Sequence, residues 1–376
     1  MKIAYISIDD PKDYVSWSGL KLNMFKTLKK LNNDIKVIGP FKDYKRYPFV
    51  IKREILKLFN LKYDSERNNF LSRIYSNKIK KIISKNKIDL IFTSDSYLVS
   101  HLDTNIPIVL WLDVTYKTYF NHYFKGENFH KKSFNEANNL EKLALNKAKK
   151  IIVTSNWSKK DTIKNYKVSA NKIEVLPFGS NLINKKINSK KSRKKNHIEL
   201  VSIGVDWARK GMDKTINITR NLNKKGFKAN LKIIGSINLS KNFPNYISQI
   251  GFINKNIRKE HLKLINILSN SDFHILMTKK EACGVVFAEA NSCGVFNITN
   301  DVGGVSGMIE NNVNGKLFDP KDSEKKVANF IMKTYKNKNK FFQLKKNSLN
   351  YYRKNLSWKV NAPKLQEILL KAKNSV

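Results

Sequence analysis

Residues 281–294 read EACGVVFAEANSCG. Two glutamates, Glu281 and Glu289, stand eight positions apart, with Cys283 and Gly284 close behind the first. The stretch follows the apolar run DFHILMT, so Glu281 falls in a loop at the carboxyl end of a strand, and VVFAEANSC has the pattern of the helix that this loop feeds. Glu289 then sits in the first turns of that helix. Backbone N–H groups at such a turn attract an anion, and the missing side chain at Gly284 lets a ligand approach closely. A carboxylate beside a diphosphate is repelled unless it binds hydroxyls. A nucleotide sugar satisfies both conditions: amides near phosphate and sugar, one glutamate on sugar-ring hydroxyls, the other on a ribose diol. The plain structural reading stands beside it, with Glu289 a helix-N-terminal glutamate favoured by the dipole and Glu281 a solvated loop residue.

The segment SIGVDWARKG, residues 202–211, offers matching charge. A strand over 198–204 ends at Gly204, the loop carries Asp206, Trp207, Arg209 and Lys210, and a helix starts after Gly211. An arginine fork and a lysine point charge at a strand's carboxyl end neutralise the two phosphates of a leaving diphosphate. With 72 basic residues in the chain, a solvated basic loop is the competing reading. In DPKDYVSWSGLKLN, residues 10–23, Ser18 is a candidate N-cap, and Gly19 allows the loop to swing close to a phosphate or sugar. No GxGxxG is present, which disfavours a dinucleotide cofactor. In DVGGVSGMIENNVNGKLFD, residues 301–319, Gly303 and Gly304 present backbone amides, and Asn314–Gly315 is a hairpin signal. No GxSxG occurs and no DxD stands at a strand end to hold a metal, so none is expected. Asp113, which ends IPIVLWLD, and His101 are the candidates for an acceptor-side base. For His101, as for His122 and His130, a satisfied structural histidine is the competing reading.

These loops need strands and helices to hold them. Short β-branched runs (KIAYISI, IKVIG, IDLIFTS, IPIVLWLD, IIVTS) alternate with amphipathic stretches such as SGLKLNMFKTLKKL and NEANNLEKLALNKAKK. That pattern predicts a parallel sheet covered on both faces, a doubly wound α/β layout. Residues 185–196, KKINSKKSRKKN, lack apolar periodicity and read as a linker. The alternation then restarts with IELVSIGV, LKIIGS, ISQIGFI, a helix from about Asn256 to Ser269, DFHILMT and VFNIT, which predicts a second domain of the same kind. Two helices close the chain, the last beginning near Ser357. A length of 376 residues suits two cores, and ligands bind at the carboxyl ends of the strands of such sheets.

Composition excludes several classes. Two cysteines without CxxC or His neighbours argue against a disulfide framework or a zinc site and fit a reducing cytoplasm. MKIAYISIDD breaks its apolar run at Asp9 and Asp10, and no stretch has the length of a membrane span. The net charge of +42 comes mostly from lysine spread over the chain, accompanied by abundant Asn and Ile. Nucleic-acid readers favour arginine, so no nucleic acid is expected. Attraction to anionic lipid headgroups is the better use of the charge.

Taken together, SWSG, SNWSKKDTIKNY with VLPFGSN, GVDWARKG, the E-x7-E of EACGVVFAE, VGGV, NGKLF and SWKVNAPKLQEIL resemble a retaining glycosyltransferase of family 4, also called group 1. The resemblance runs over nearly the whole chain. It implies a GT-B fold: two Rossmann-like doubly wound domains facing a cleft, with the C-terminal helix crossing back to the N-terminal domain. The boundaries it suggests are an acceptor domain at 1–184, the linker at 185–196, a donor domain at 197–350 and the returning helix at 351–376. It implies a retaining transfer, hexosyl in type, from a nucleotide-diphosphate sugar to a glycan or glycolipid hydroxyl, without a metal, in polysaccharide biosynthesis. The location implied is cytoplasmic or peripheral at the inner membrane face. Arg209 and Lys210 would hold the diphosphate, and Glu289 the ribose. Glu281 with the amides of Cys283 and Gly284 would hold the transferred sugar. Gly204, Gly235 and residues 251–253 would line the nucleotide, and Gly19 would face the phosphate or acceptor. Gly307 stands where relatives often carry a glutamate, and Cys283 where they carry a bulkier residue. The competing readings are a sugar-nucleotide-processing enzyme without a glycan acceptor and a charge-driven binder of nucleic acid or membrane.

Overall fold

The computed structural model describes residues 1–41, 44–183, 197–240 and 242–374. The predicted linker at 185–196 lies outside the described residues. The chain divides into two compact units, residues 1–177 with 361–376 and residues 178–360.

The first unit contains β1 (Lys2–Ile6), α1 (Leu20–Lys30), β2 (Asp34–Ile38), α2 (Tyr47–Leu58), α3 (Asn69–Ile83), β3 (Leu90–Thr93), β4 (Ile108–Leu112), α4 (Tyr116–Tyr123), α5 (Lys131–Lys147), β5 (Lys150–Val153), α6 (Asn156–Tyr166) and β6 (Ile173–Val175). Its sheet is parallel throughout, in the order β2-β1-β3-β4-β5-β6. The central strands are apolar on both faces because helices cover both faces, which is why they read as unbroken apolar runs. On α3 the buried residues Leu71, Tyr75, Ile79 and Ile83 recur every fourth position, a single apolar stripe, and Asn68 caps the helix by accepting from the Leu71 N–H at 2.9 Å.

The second unit contains β7 (Ile198–Gly204), α7 (Met212–Lys224), β8 (Ala229–Gly235), β9 (Ile247–Gly251), α8 (Arg258–Ser269), β10 (Phe273–Leu276), α9 (Val285–Ser292), β11 (Phe296–Asn300), β12 (Gly315–Phe318), α10 (Glu324–Lys336) and α11 (Lys338–Tyr351). Its parallel sheet runs β12-β11-β10-β7-β8-β9. The expectation of two doubly wound α/β domains holds. α12 (Trp358–Asn374) starts in the second unit and belongs to the first from Asn361 onward. There Leu365, Leu369 and Ala372 are buried, Asn361 Nδ2 donates to the Pro177 carbonyl at 2.8 Å, and Lys373 pairs with Asp89 at 3.1 Å.

Three local expectations are corrected. Asn314–Gly315 makes no hairpin: Gly315 opens β12, which pairs parallel to β11. The Asn314 side chain is drawn inward instead, donating to Asn291 Oδ1 at 2.8 Å and the Met308 carbonyl at 2.9 Å while accepting from the Glu310 N–H at 2.7 Å. Ser18 does not cap α1; it adopts φ +57° in a short 3-10 turn, and Gly19, at φ +85°, occupies the cap position. Three helices close the chain rather than two, because Asn337 leaves helical geometry and caps α11 with its own side chain, splitting α10 from α11.

Candidate active site

In the second unit the chain leaves β7 towards β8 and β9, and leaves β10 towards β11 and β12, although β7 and β10 are neighbours. The carboxyl ends of β7 and β10 therefore flank the point where strand order reverses, the place where open α/β sheets take ligands. The two stretches singled out by their chemistry are the loops leaving these two strands.

They are stitched to each other. The Arg209 carbonyl accepts from the Lys279 N–H at 2.8 Å and from Thr278 Oγ1 at 3.3 Å. Arg209 Nη1 donates to the Lys280 carbonyl at 3.2 Å and lies 3.8 Å from Glu281 Oε2. Lys210 Nζ forms an ion pair with the same Glu281 oxygen, and both side chains are only 9% exposed. Gly204 makes room for this lysine: a Cβ there would sit 2.6 Å from Lys210 Cγ, so the lysine stem lies across the end of β7. Asp206 accepts from the Arg209 N–H at 3.0 Å and from Arg209 Nε at 3.1 Å. Burial pushes the Asp206 carboxyl up, but the arginine's hydrogen bonds and charge outweigh that and hold it below the usual carboxylate range. Gly304 of the VGGV turn donates to the Glu281 carbonyl at 3.0 Å, so this turn joins the same cluster.

Cys283 is buried, and Gly284, at φ +81°, is the cap position from which α9 starts. Glu289 lies on α9, 1% exposed, in an ion pair with Lys255 from the loop after β9. Gly235 ends β8 beside Gly204, and Ser236 Oγ donates to the Gly204 carbonyl. Arg209, Lys210, Glu281, Cys283 and Gly284 are thus brought together, with Gly204 and Gly235 at the adjoining strand ends. Glu281 is no solvated loop residue, because it is buried against two cations. Glu289 has a different partner, Lys255.

Beneath the pair, His274 of β10 is buried and donates through Nδ1 to Asn297 Oδ1 at 2.7 Å. Burial lowers its pKa to about 4 against the opposing pull of the Asn297 bond, with the Lys210 charge adding to the drop, so the ring is neutral at pH 7.

In the first unit, Gly19 leads into α1, whose second residue, Lys21, is buried and pairs with Asp9 at 2.9 Å and Asp95 at 3.0 Å. Asp95 also accepts from the Ile8 N–H at 2.9 Å, tying together the carboxyl ends of β1 and β3, again neighbours at a reversal of strand order. Asp113 follows β4, and His101 bonds Asn69 Oδ1 through Nε2 at 3.2 Å. The sequence reading missed Lys21, Asp95, Lys255 and His274. Nothing distinguishes the two lysines among 72 basic residues except their partners, which are distant in sequence.

A buried lysine, a half-buried arginine and the carboxylate they share, set where two loops meet at the ligand edge of a parallel sheet, form a place suited to a multiply charged anion that also carries hydroxyls. No group of three or more His, Cys, Asp or Glu among the described residues is placed to hold a metal. No helix among them is long and apolar enough to cross a membrane.

Comparison with known proteins points the same way. Residues 22–182 match the family model described as Glycosyltransferase Family 4, and residues 184–351 match that described as Glycosyl transferases group 1. No curated protein sequence matches the chain. Among solved structures, the sucrose-phosphate synthase of Thermosynechococcus elongatus is similar over 100% of both chains, with a TM-score of 0.70 and 15% identity. A glycosyltransferase from Rickettsia africae gives 0.67 at 18% identity, covering 100% of this chain and 99% of its own. Anabaena Alr3699/HepE in complex with UDP and glucose gives 0.66 at 15%, covering 98% and 99%. At such identities the structures speak for the fold, which is GT-B. The two family models lie end to end across both halves of the chain, and with that fold they identify it: the chain belongs to the group 1 glycosyltransferases.

Proposed function

We propose that the chain transfers a sugar, with retention of configuration, from a nucleoside-diphosphate sugar to a hydroxyl of a glycan or glycolipid. The observation that carries the donor assignment is the Lys210–Glu281 pair with Arg209 beside it, assembled from the loops after β7 and β10. In this reading Arg209 and Lys210 receive the diphosphate and stabilise its charge as it leaves. Glu281, with the amides of Cys283 and Gly284, orients the transferred sugar, and Glu289 accepts from the ribose hydroxyls. Gly204, Gly235 and residues 251–253 flank the nucleoside. UDP and UDP-glucose, bound by Anabaena Alr3699/HepE, are the first donors to try.

No carboxylate is needed as a nucleophile. The acceptor hydroxyl attacks the anomeric carbon from the face that the diphosphate leaves, its oxygen forms the new bond as the phosphate takes the old bonding pair, and the departing phosphate oxygen takes the proton. Catalysis is then positioning and charge stabilisation, and the two side-chain cations leave the reading without a requirement for metal. Activity unchanged by EDTA is the corresponding expectation. Asp113 and His101 are the first-unit candidates for contact with the acceptor. The charge of +42 adds a peripheral contact with an anionic membrane surface on the cytoplasmic side.

Separate roles for the two glutamates give a direct test. Glu281→Ala should lower kcat strongly without weakening nucleotide binding, whereas Glu289→Ala should mainly raise the donor KM. Equal and negligible effects of both on transfer would remove the assignment.

A further inference from the structure

α2 is unusual among the helices of the first unit in that it contains no buried residue. It carries two apolar stripes. The inner one is partly buried, with Phe49 packed against the core and Leu56 following a little under two turns later. The outer one is Tyr47, Ile51, Ile55 and Leu58, exposed by 60%, 59%, 51% and 84%. At about 100° per residue these four fall within an arc of about 80°, and the helix is about 18 Å long. Phe59, at its end, is 73% exposed. A water-facing helix surface is ordinarily polar, and a contiguous apolar face is kept where something covers it.

The composition of the rim says what covers it. Lys52 and Lys57 flank the stripe, Lys45 and Arg46 precede the helix, and all four are exposed; Glu54, the helix's only acidic residue, stands at the stripe's edge paired with Arg53 at 2.7 Å. Face-to-face docking of a second copy would bring these like charges together in a chain of net charge +42. An anionic bilayer surface complements both features at once, apolar side chains entering the acyl boundary and lysines reaching the headgroups. We infer that α2 is the element by which this chain docks on an anionic lipid surface, lying in the plane of the interface with Ile51, Ile55 and Leu58 inserted. The inference rests on the peripheral membrane contact proposed above and assigns it to one helix.

The test is flotation of the full chain with vesicles of phosphatidylcholine alone or with one-third phosphatidylglycerol, at low and high salt. It compares wild type with Ile51→Ser/Leu58→Ser, which leaves the charge unchanged and alters only exposed side chains. A Leu58→Cys variant labelled with an environment-sensitive dye adds a readout of depth, since Cys283 and Cys293 are both buried. The expected result is salt-sensitive binding to anionic vesicles, a partition coefficient about tenfold or more lower in the double variant, and a blue shift of the dye. Equal binding by the double variant would overturn the role of α2 while leaving the charge-driven membrane contact standing. Failure of wild type to bind anionic vesicles would overturn both. A wild-type dimer that becomes monomeric in the double variant, with vesicles ignored, would assign the stripe to a second copy instead.

Discussion

Replacing Lys210 by methionine probes the site where its geometry makes the least intuitive demand. Lys210 and Arg209 both face Glu281 Oε2, so removing the lysine takes a cation from the proposed diphosphate site and also takes from a 9%-exposed carboxylate the nearer of these two cations, Arg209 being 3.8 Å away. A hydrogen bond from a charged donor to phosphate contributes about 2–3 kcal/mol. The unmasked Glu281 repels a phosphate about 5 Å away by about 3 kcal/mol at an effective dielectric of about 20, and Arg209 offsets roughly half of it. Lys210→Met should then weaken binding of the nucleoside diphosphate by about 4 kcal/mol, roughly 10³-fold. Lys210→Met/Glu281→Gln removes cation and carboxylate together and should lose only about 10²-fold, binding about tenfold more tightly than the single variant. The assay is calorimetric or competition titration with the nucleoside diphosphate that stabilises wild type, on variants shown to keep wild-type circular dichroism. A double variant no tighter than Lys210→Met refutes the reasoning, because Glu281 would then have no charge contact with the bound diphosphate.

The remaining predictions concern the supports beneath the site. His274, with its pKa depressed to about 4, is neutral in the folded chain, whereas the unfolded histidine takes a proton near pH 6.5. Its contribution to stability is therefore complete above about pH 6.5 and is lost as pH falls through about 4, amounting to about 3 kcal/mol. Urea titrations of the second unit should show a pH slope flatter by about one proton in His274→Gln, and identical slopes in the two proteins would count against it. Gly211 has φ +66°, and a Cβ there would lie 2.0 Å from the Met277 carbonyl oxygen, so Gly211→Ala must push the loop after β7 away from the exit of β10. It should cost about 3 kcal/mol or more and abolish nucleotide binding, while Gly226→Ala, at φ +78° with no atom within 4 Å, should cost only about 1–2 kcal/mol. Thermal melts of the two variants that coincide would show that the contact is not needed.

The layers of the fold were legible because buried parallel strands read as unbroken apolar runs, and KIAYISI, IPIVLWLD and IELVSIGV all became central strands. The two loops of the candidate site were legible for the same reason, since each follows such a run directly. The pairing inside the site was not. Lys210 meets Glu281 across 71 residues and Lys255 meets Glu289 across 34, and a single lysine in a lysine-rich chain gives no sign of which carboxylate it will face. Asn314–Gly315 misled because a two-residue turn signal is local, whereas the Asn314 side chain is claimed by Asn291 and Met308, contacts set by how α9 and β11 pack. The outer stripe of α2 repeats at helical spacing as any core-facing stripe does, and only its exposure in the folded chain separates the two.

The donor assignment is tested most directly by thermal denaturation of wild type and Lys210→Met with UDP, GDP, ADP, their sugar conjugates and a random oligonucleotide. A nucleotide present at about 100 times its Kd adds about 2.7 kcal/mol, which for a unit of this size raises the melting temperature by roughly 5–10 °C. The account predicts that one nucleoside diphosphate and its sugar conjugates produce that shift in wild type and little or none in Lys210→Met. A shift from the oligonucleotide alone, with every nucleotide silent, would contradict it.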